Sequence, residues 1–501
     1  MPAPLRPPGV YDRTPAEAAE AAAVSSVLIA AMSRYGYQSV ETPVIEYADL
    51  FLTKSGDEAI NRLFTFEMYG RQLCLRSEFT ASAARLYVER FQHEPKPLRW
   101  QFAGPVFRYE SPGKGHSRQF TMLGTELIGA TGAAADAETV GLAADGLSAL
   151  GIRETTIYMG HLGLLNRALD HFDLDRRTKR FLLSQVENLR RPERGRAYVE
   201  KRFEQMVALS ANAESLVAER AMLGENEASA EDIAHALELL LRSANLGTTG
   251  SGRTNEDVAQ RLLTKSRRAN QQVTIHRALD FLHSVVGIEG APQAVFHELD
   301  ALFPMDAAMR SLLDEWRETV TLLTEGYGLD AARFVLQPGL ARGVNYYTGF
   351  VFEIHSGGEQ LCGGGRYDDF IRVVGAAQDT PAVGFMYGLE RVLDEARRAG
   401  FRAAPNAPQV LVVPIDSADS IYAVQVAARL RTACAVELYP PPTRNPTQAY
   451  TYAARRGITQ IVVIGERERT AQTITVRDAR SGAQTMLTLE ALLASWKEPR
   501  P

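Results

Sequence analysis

The sequence predicts an α+β unit built on an antiparallel sheet, interrupted by a helical insertion and followed by a small α/β domain. Three patterns carry that expectation. Residues 98–110 and 119–128 read as long strands joined by a glycine-containing loop, the signature of antiparallel pairing. Residues 151–330 are mostly helical in character and separate two halves of an arginine- and glycine-rich pattern. Beyond residue 408, continuous apolar runs alternate with helices, which reads as a largely parallel sheet. The expected layout is a first core segment over 1–150, the insertion over 151–330, a second core segment over 331–400 and the C-terminal domain over 408–501. A chain of 501 residues has room for two or three such units.

Residues 15–34 form a helix in which Pro15 suits the first turn after Thr14, and Val24, Leu28 and Met32 share a face. Tyr35-Gly36-Tyr37 ends it, and 39–46 reads as a short strand. Leu63-Phe64-Thr65-Phe66 and Gln72-Leu73-Cys74-Leu75-Arg76 make a hairpin around Tyr69-Gly70. A helix over 81–91 precedes the two long strands, which a turn at 111–116 connects. Residues 134–150 are a helix by composition. Inside the insertion, 234–241 has helical character and Gly247-Thr248-Thr249-Gly250-Ser251-Gly252 is a flexible break. Strands resume over 334–355 and 360–366, and a helix over 381–398 closes the unit. A linker spans 402–408. Strands at 410–414 and 460–464 then enclose helices at 423–431 and 448–456.

Forty-five per cent hydrophobic and 23 per cent charged residues are globular values. A net charge of −5 argues against a surface coated for bulk nucleic-acid binding, while leaving room for a local basic patch. Residues 409–501 hold 11 Lys/Arg against 8 Asp/Glu, a mild tilt towards an RNA-facing tail. Three scattered cysteines make neither a disulfide framework nor a zinc ribbon and suit a reducing cytoplasm. The first residues lack the apolar core of a signal peptide, and no apolar run is expected to reach bilayer-spanning length.

The chemistry concentrates in Arg342-Gly343-Val344-Asn345-Tyr346-Tyr347-Thr348-Gly349 and Cys362-Gly363-Gly364-Gly365-Arg366-Tyr367-Asp368. A cation and two phenols stand there beside glycines, which let backbone approach a ligand closely. Arg108, in Phe107-Arg108-Tyr109-Glu110, and Arg391, after Gly384-Phe385-Met386-Tyr387-Gly388, add two planar forks suited to phosphate or carboxylate. Either alone reads equally well as a solvated arginine. Glu78 and Glu126 alone read as ordinary carboxylates, but on strands facing one pocket they suit an ammonium or imidazole. His161 reads as structural or pocket-lining rather than as a metal ligand, and no cluster has metal-ligand spacing. Neither a Walker A loop nor a Gly-x-Ser-x-Gly elbow is present.

Together these segments resemble class II aminoacyl-tRNA synthetases, specifically histidyl-tRNA synthetases and their paralogues. Leu75-Arg76-Ser77-Glu78-Phe79-Thr80 is similar to the family's Leu-Arg-Pro-Glu-Gly-Thr, and Phe107–Arg108–Tyr109–Glu110 through Gln119-Phe120 to motif 2. The Arg342 block is similar to a histidine-specific motif, Gly384 to Arg391 to motif 3, and the tail to the anticodon-binding domain. The resemblance implies a histidine–tRNA ligase that uses ATP with Mg²⁺, binds tRNA(His) and forms a homodimer. It also implies roles. Arg108 holds the α-phosphate and amino-acid carboxylate, Glu110 contacts adenine, and Arg391 binds the γ-phosphate. Arg342 promotes attack on the α-phosphate. Glu78, Phe79, Thr80, Met122, Glu126, Tyr346 and Tyr347 line the histidine pocket.

The chain departs from the pattern in places. Met122 stands where the family has a glutamine, Phe79 where it has a glycine, and Ser111 and His116 where it has arginines. Met159-Gly160-His161-Leu162-Gly163 and Glu126-Leu127-Ile128-Gly129 resemble instead the histidine-sensing regulatory subunit of ATP phosphoribosyltransferase, a silent paralogue that acts through that enzyme's catalytic subunit. The arginine set and the C-terminal domain favour the ligase.

Overall fold

A capping box opens the first helix: Thr14 N–H donates to Glu17 Oε2 at 2.7 Å, Glu17 N–H donates to Thr14 Oγ1 at 3.4 Å, and helix Pro15–Arg34 follows. A computed structural model describes residues 5–52, 62–109, 117–191, 193–206, 273–302, 306–342, 346–403, 410–440 and 442–496. Contrary to the expectation of no spanning-length run, this first helix is long and apolar enough by composition to cross a bilayer. Its Val24, Leu28 and Met32 are instead buried against helices Ala133–Ala149 and Leu389–Arg398, as in the core helix of a globular unit.

The chain forms two compact units, Met1–Arg402 and Ala403–Pro501. In the first, the strands are β1 (Gln38–Ser39), β2 (Ile45–Tyr47), β3 (Phe64–Met68), β4 (Arg71–Leu75), β5 (Leu98–Phe107) and β6 (Gln119–Ile128). They continue with β7 (Thr156–His161), β8 (Phe334–Leu336), β9 (Phe350–Ser356), β10 (Glu359–Arg366) and β11 (Ala382–Gly388). Eight of them make one sheet in the order β1-β5-β6-β11-β10-β9-β7-β8. Its pairs from β5 to β7 are antiparallel, while β1 and β8 add at the edges in parallel. Strands β2, β4 and β3 form a separate small sheet.

The β3–β4 hairpin, both long strands and the helix near 134–150 form where the sequence places them. Three readings need correction. The strand expected over 39–46 is two short strands in different sheets, with Pro43, which cannot donate to a ladder, between them. The stretch read as mostly helical contains β7, which supplies an inner strand of the large sheet. The helix expected over 381–398 begins only at Leu389, because 382–388 is β11, held between β6 and β10. Residues 111–116, 234–241, 247–252 and 404–408 lie outside the described residues.

Side chains alternate across β6. Leu123 and Leu127 pack into the core beneath helices Pro15–Arg34 and Ala133–Ala149, while Met122, Gly124 and Glu126 face the other way. In the second unit, β12 (Val410–Pro414), β13 (Val436–Leu438), β14 (Gln460–Ile464), β15 (Ile474–Asp478) and β16 (Gln484–Leu487) order as β13-β12-β14-β15-β16. The first three are parallel. The β15–β16 hairpin is antiparallel, so the sheet expected to be largely parallel is mixed.

Candidate active site

Pairing register sets the floor of the site. Gly384 of β11 lies opposite Glu126 of β6 and Gly365 of β10, and Gly363 lies opposite Met386 and Glu353. A Cβ on Gly384 would fall 1.8 Å from Glu126 Oε2, and one on Gly363 would fall 1.5 Å from Arg342 Nη1. The glycine run is thus the bare strip on which a carboxylate and a guanidinium lie. The two groups are one strand and one two-residue step apart, about 8 Å by sheet spacing.

Above this floor is a cavity of about 260 Å³ whose wall includes Glu78, Thr80, Arg108, Met122, Glu126, Arg342, Tyr346 and Tyr347. Glu126 Oε1 accepts the Thr80 hydroxyl at 2.6 Å, and Oε2 accepts the Tyr367 hydroxyl. Burial outweighs both bonds and pushes the Glu126 carboxyl up to about 8. Glu78 accepts the N–H groups of Thr80 and Ala81, the latter at 2.9 Å, at the start of helix Thr80–Leu86. Burial still raises its pKa. Tyr346 stacks on Phe370 with centroids 4.9 Å apart and leans on Tyr347 at 4.8 Å, which fixes both phenols at the wall.

Arg342 is anchored from below. Its Nη1 donates to Glu353 Oε1 at 3.0 Å and Phe352 O at 3.3 Å, and Glu353 Oε2 pairs with His355 Nε2 at 2.9 Å. Burial opposes the Arg342 charge, but Glu353 overrides it and holds the guanidinium above its ordinary value. Burial likewise opposes the Glu353 charge, and Arg342 holds that carboxyl below its ordinary range. Arg108 follows the end of β5; its Nε donates to Ser77 O at 3.0 Å and its guanidinium lies 5.2 Å from the Phe120 ring centroid.

Two expected residues lie elsewhere. Phe79 does not line the cavity, because its ring is held between the Arg76 guanidinium at 4.2 Å and Phe102 at 5.4 Å. Arg391 is not in the wall either; it stands in the first turn of helix Leu389–Arg398 and donates to Gln360 O at 3.2 Å. Glu110 lies outside the described residues. His161 is structural: its Nδ1 accepts the Leu164 N–H at 3.2 Å, and burial pushes the imidazole down to about 4. Among the described residues, no group of three or more His, Cys, Asp or Glu is arranged to hold a metal.

Tyr367, Glu353 and His355 were not singled out from sequence. Tyr367 sits in the glycine block itself, so proximity to that block was the available signal. Glu353 and His355 had none, because Arg342, the partner of Glu353, is in a loop ten or more residues away and His355 joins only through Glu353.

A cavity that holds Glu126 and Arg342 on a glycine floor, with Arg108 beside Glu78 in its wall, suits an amphoteric small molecule and a phosphorylated partner. A largely antiparallel sheet of this kind, followed by a mixed α/β unit, is the fold of class II aminoacyl-tRNA synthetases. The family model for histidyl-tRNA synthetase matches residues 9–249 and 237–392, and an anticodon binding domain model matches 409–498. The chain is 31% identical to a histidine–tRNA ligase from Methanosarcina acetivorans over 97% of each chain. It is 29% identical to one from Pyrococcus horikoshii over 97% of this chain and 96% of that one. The fold is similar to a solved histidyl-tRNA synthetase from a Nostoc species, with a TM-score of 0.63 at 20% identity and 98% of each chain covered. The chain belongs to the histidyl-tRNA synthetase family.

Proposed function

We propose that the protein is a histidine–tRNA ligase that activates histidine with ATP and passes the histidyl group to tRNA(His). The observation that carries this reading is the pair formed by Glu126 and Arg342 on the glycine floor, with Glu78 and Arg108 in the same wall. In it, Glu126, Glu78, Thr80, Tyr346 and Tyr347 hold the imidazole and ammonium of histidine. Arg108 holds the substrate carboxylate and the α-phosphate, and Arg342 takes up negative charge as that carboxylate attacks phosphorus. Glu110 contacts adenine and Arg391 the γ-phosphate. The substrate supplies its own nucleophile, so the protein's task is alignment and charge neutralisation. Mg²⁺ enters as part of the ATP substrate. Met122 offers only a weak sulfur acceptor where the family has glutamine, at a cost of about 1.5–3 kcal/mol for one charge-assisted hydrogen bond.

The C-terminal unit is the tRNA-binding part in this reading, and the protein works in the cytoplasm as a homodimer. Exposed Ile45 and Tyr47 on β2 and Met68 on β3 offer an apolar face for a second copy. The deciding experiment is ATP–pyrophosphate exchange with each of the twenty amino acids. Exchange with histidine alone is expected. Tight histidine binding without exchange would overturn the ligase reading in favour of a histidine-sensing subunit of ATP phosphoribosyltransferase.

A further inference from the structure

The chain ahead of the first helix lies against the β5–β6 hairpin, and the chemistry proposed above makes no use of it. Gly9, at φ +80°, accepts the Arg118 N–H on its carbonyl at 2.7 Å, and the Arg118 carbonyl accepts the Arg108 N–H at 2.9 Å. The Arg118 side chain runs along Gly9, where a Cβ would come within 2.8 Å of its Cγ. It then donates to Pro8 O at 3.3 Å and lies 4.1 Å from the Tyr109 ring centroid. One end of this segment is therefore bonded to the backbone that presents Arg108.

Arg13 is at the other end. Its Nη2 donates to Glu390 Oε1 at 2.6 Å and approaches Thr121 Oγ1 at 3.4 Å. Glu390 also accepts the Thr121 N–H, at 3.0 and 3.1 Å on its two oxygens. The pairing of β6 with β11 stops at Met122–Gly388, so the Glu390 carboxylate continues the ladder where β11 no longer can. It thereby ties the first turn of helix Leu389–Arg398 to β6, and Arg391 is the next residue. The Thr121 N–H alone leaves that carboxylate free to swing; Arg13 fixes its plane.

We propose that Arg13 is a positioning residue for nucleotide binding, holding the start of the Arg391 helix against β6 while Gly9 and Arg118 hold Arg108 in the same frame. This rests on the ligase reading. The Arg13 and Glu390 side chains are 36% and 39% exposed, so their pair adds little to folding stability, and its loss leaves the fold in place. A small displacement of a phosphate-binding group, by contrast, is costly in a reaction that depends on alignment.

The test is histidine-dependent ATP–pyrophosphate exchange by the full chain and by R13A, R13K, E390Q and the double variant R13A/E390Q. In R13A the KM for ATP is expected to rise about fivefold to tenfold while the KM for histidine stays within about twofold. R13K should recover most of the loss. E390Q keeps an acceptor for Thr121 but loses the charge, so it should match R13A, and the double variant should be no worse than either. An unchanged KM for ATP, or parallel rises in both constants, overturns the proposal. If the unmodified chain catalyses no exchange, the ligase reading fails and ATP titration by calorimetry decides this one. Weaker ATP binding by R13A then supports it, and equal or absent binding in both proteins overturns it.

Discussion

Burial keeps the Glu126 carboxyl protonated up to about pH 8, against 4.5 for an ordinary glutamate, even though hydroxyls donate to both of its oxygens. A folded-state pKa raised above the unfolded value makes the protonated form a source of stability. That contribution is complete below the unfolded value of 4.5 and is lost as pH rises towards and through about 8. Glutamine mimics the protonated acid. Between those two pH values the melting temperature of Glu126→Gln is therefore expected to fall less than that of the unmodified protein. Parallel pH profiles by calorimetry would remove Glu126 as the titrating group. The residue types of this pocket were legible in the sequence, because Glu78, Arg108, Glu126, Arg342 and the two tyrosines sit in short motifs whose glycines and aromatics mark a site. The direction of each side chain was not. Phe79 is adjacent to Glu78 yet turns under Arg76, a choice made by Arg76 three residues before it and by Phe102 on β5.

At the level of elements, the glycines of β10 and β11 hold no turn here; they clear space on one face of two strands. Gly363→Ala places a methyl group on the Arg342 guanidinium, which is tied to Glu353 and Phe352 and must break those bonds to move. Its loss of exchange activity is expected to approach that of removing Arg342, about a hundredfold or more, the scale of losing one electrostatic stabiliser. Arg342→Ala alone strands the Glu353 charge in the interior and risks the fold. The cleaner comparison is therefore Arg342→Ala combined with Glu353→Gln, with circular dichroism to show that the fold persists. Activity within about threefold of normal in both proteins would exclude Arg342 from the chemistry. The long strands announced themselves through the glycine-containing loop between them, and the first helix through Pro15 after Thr14. Strand β7 did not, because a six-residue apolar strand between helices has no period long enough to identify it. The start of β11 was missed for a related reason, since its small residues continue without a break into a strongly amphipathic helix.

For the whole molecule, the cavity belongs to the first unit, since every described wall residue lies in Met1–Arg402. Residues 1–402 alone are expected to retain histidine-dependent ATP–pyrophosphate exchange within about threefold while losing at least tenfold in tRNA affinity. Filter binding at fixed salt measures the second quantity, and unchanged affinity would exclude the C-terminal unit as an RNA contact. Sedimentation velocity is expected to find a dimer, and a monomer at micromolar concentration would leave the apolar face of β2 and β3 without its proposed occupant. The overall plan was legible because the linker, the arginine motifs and the change to alternating strands and helices stand far apart in the sequence. The strand order was not, since it depends on pairings between distant segments. Strand β6 is flanked by β5, with eleven residues between the two, and by β11 more than two hundred residues after it. During synthesis, a nascent chain that has just made β6 must wait for nearly the whole first unit to leave the ribosome before that edge is covered. Until then the edge presents unpaired N–H and C=O groups to any neighbouring chain, so premature termination anywhere in the interval yields a fragment prone to aggregate.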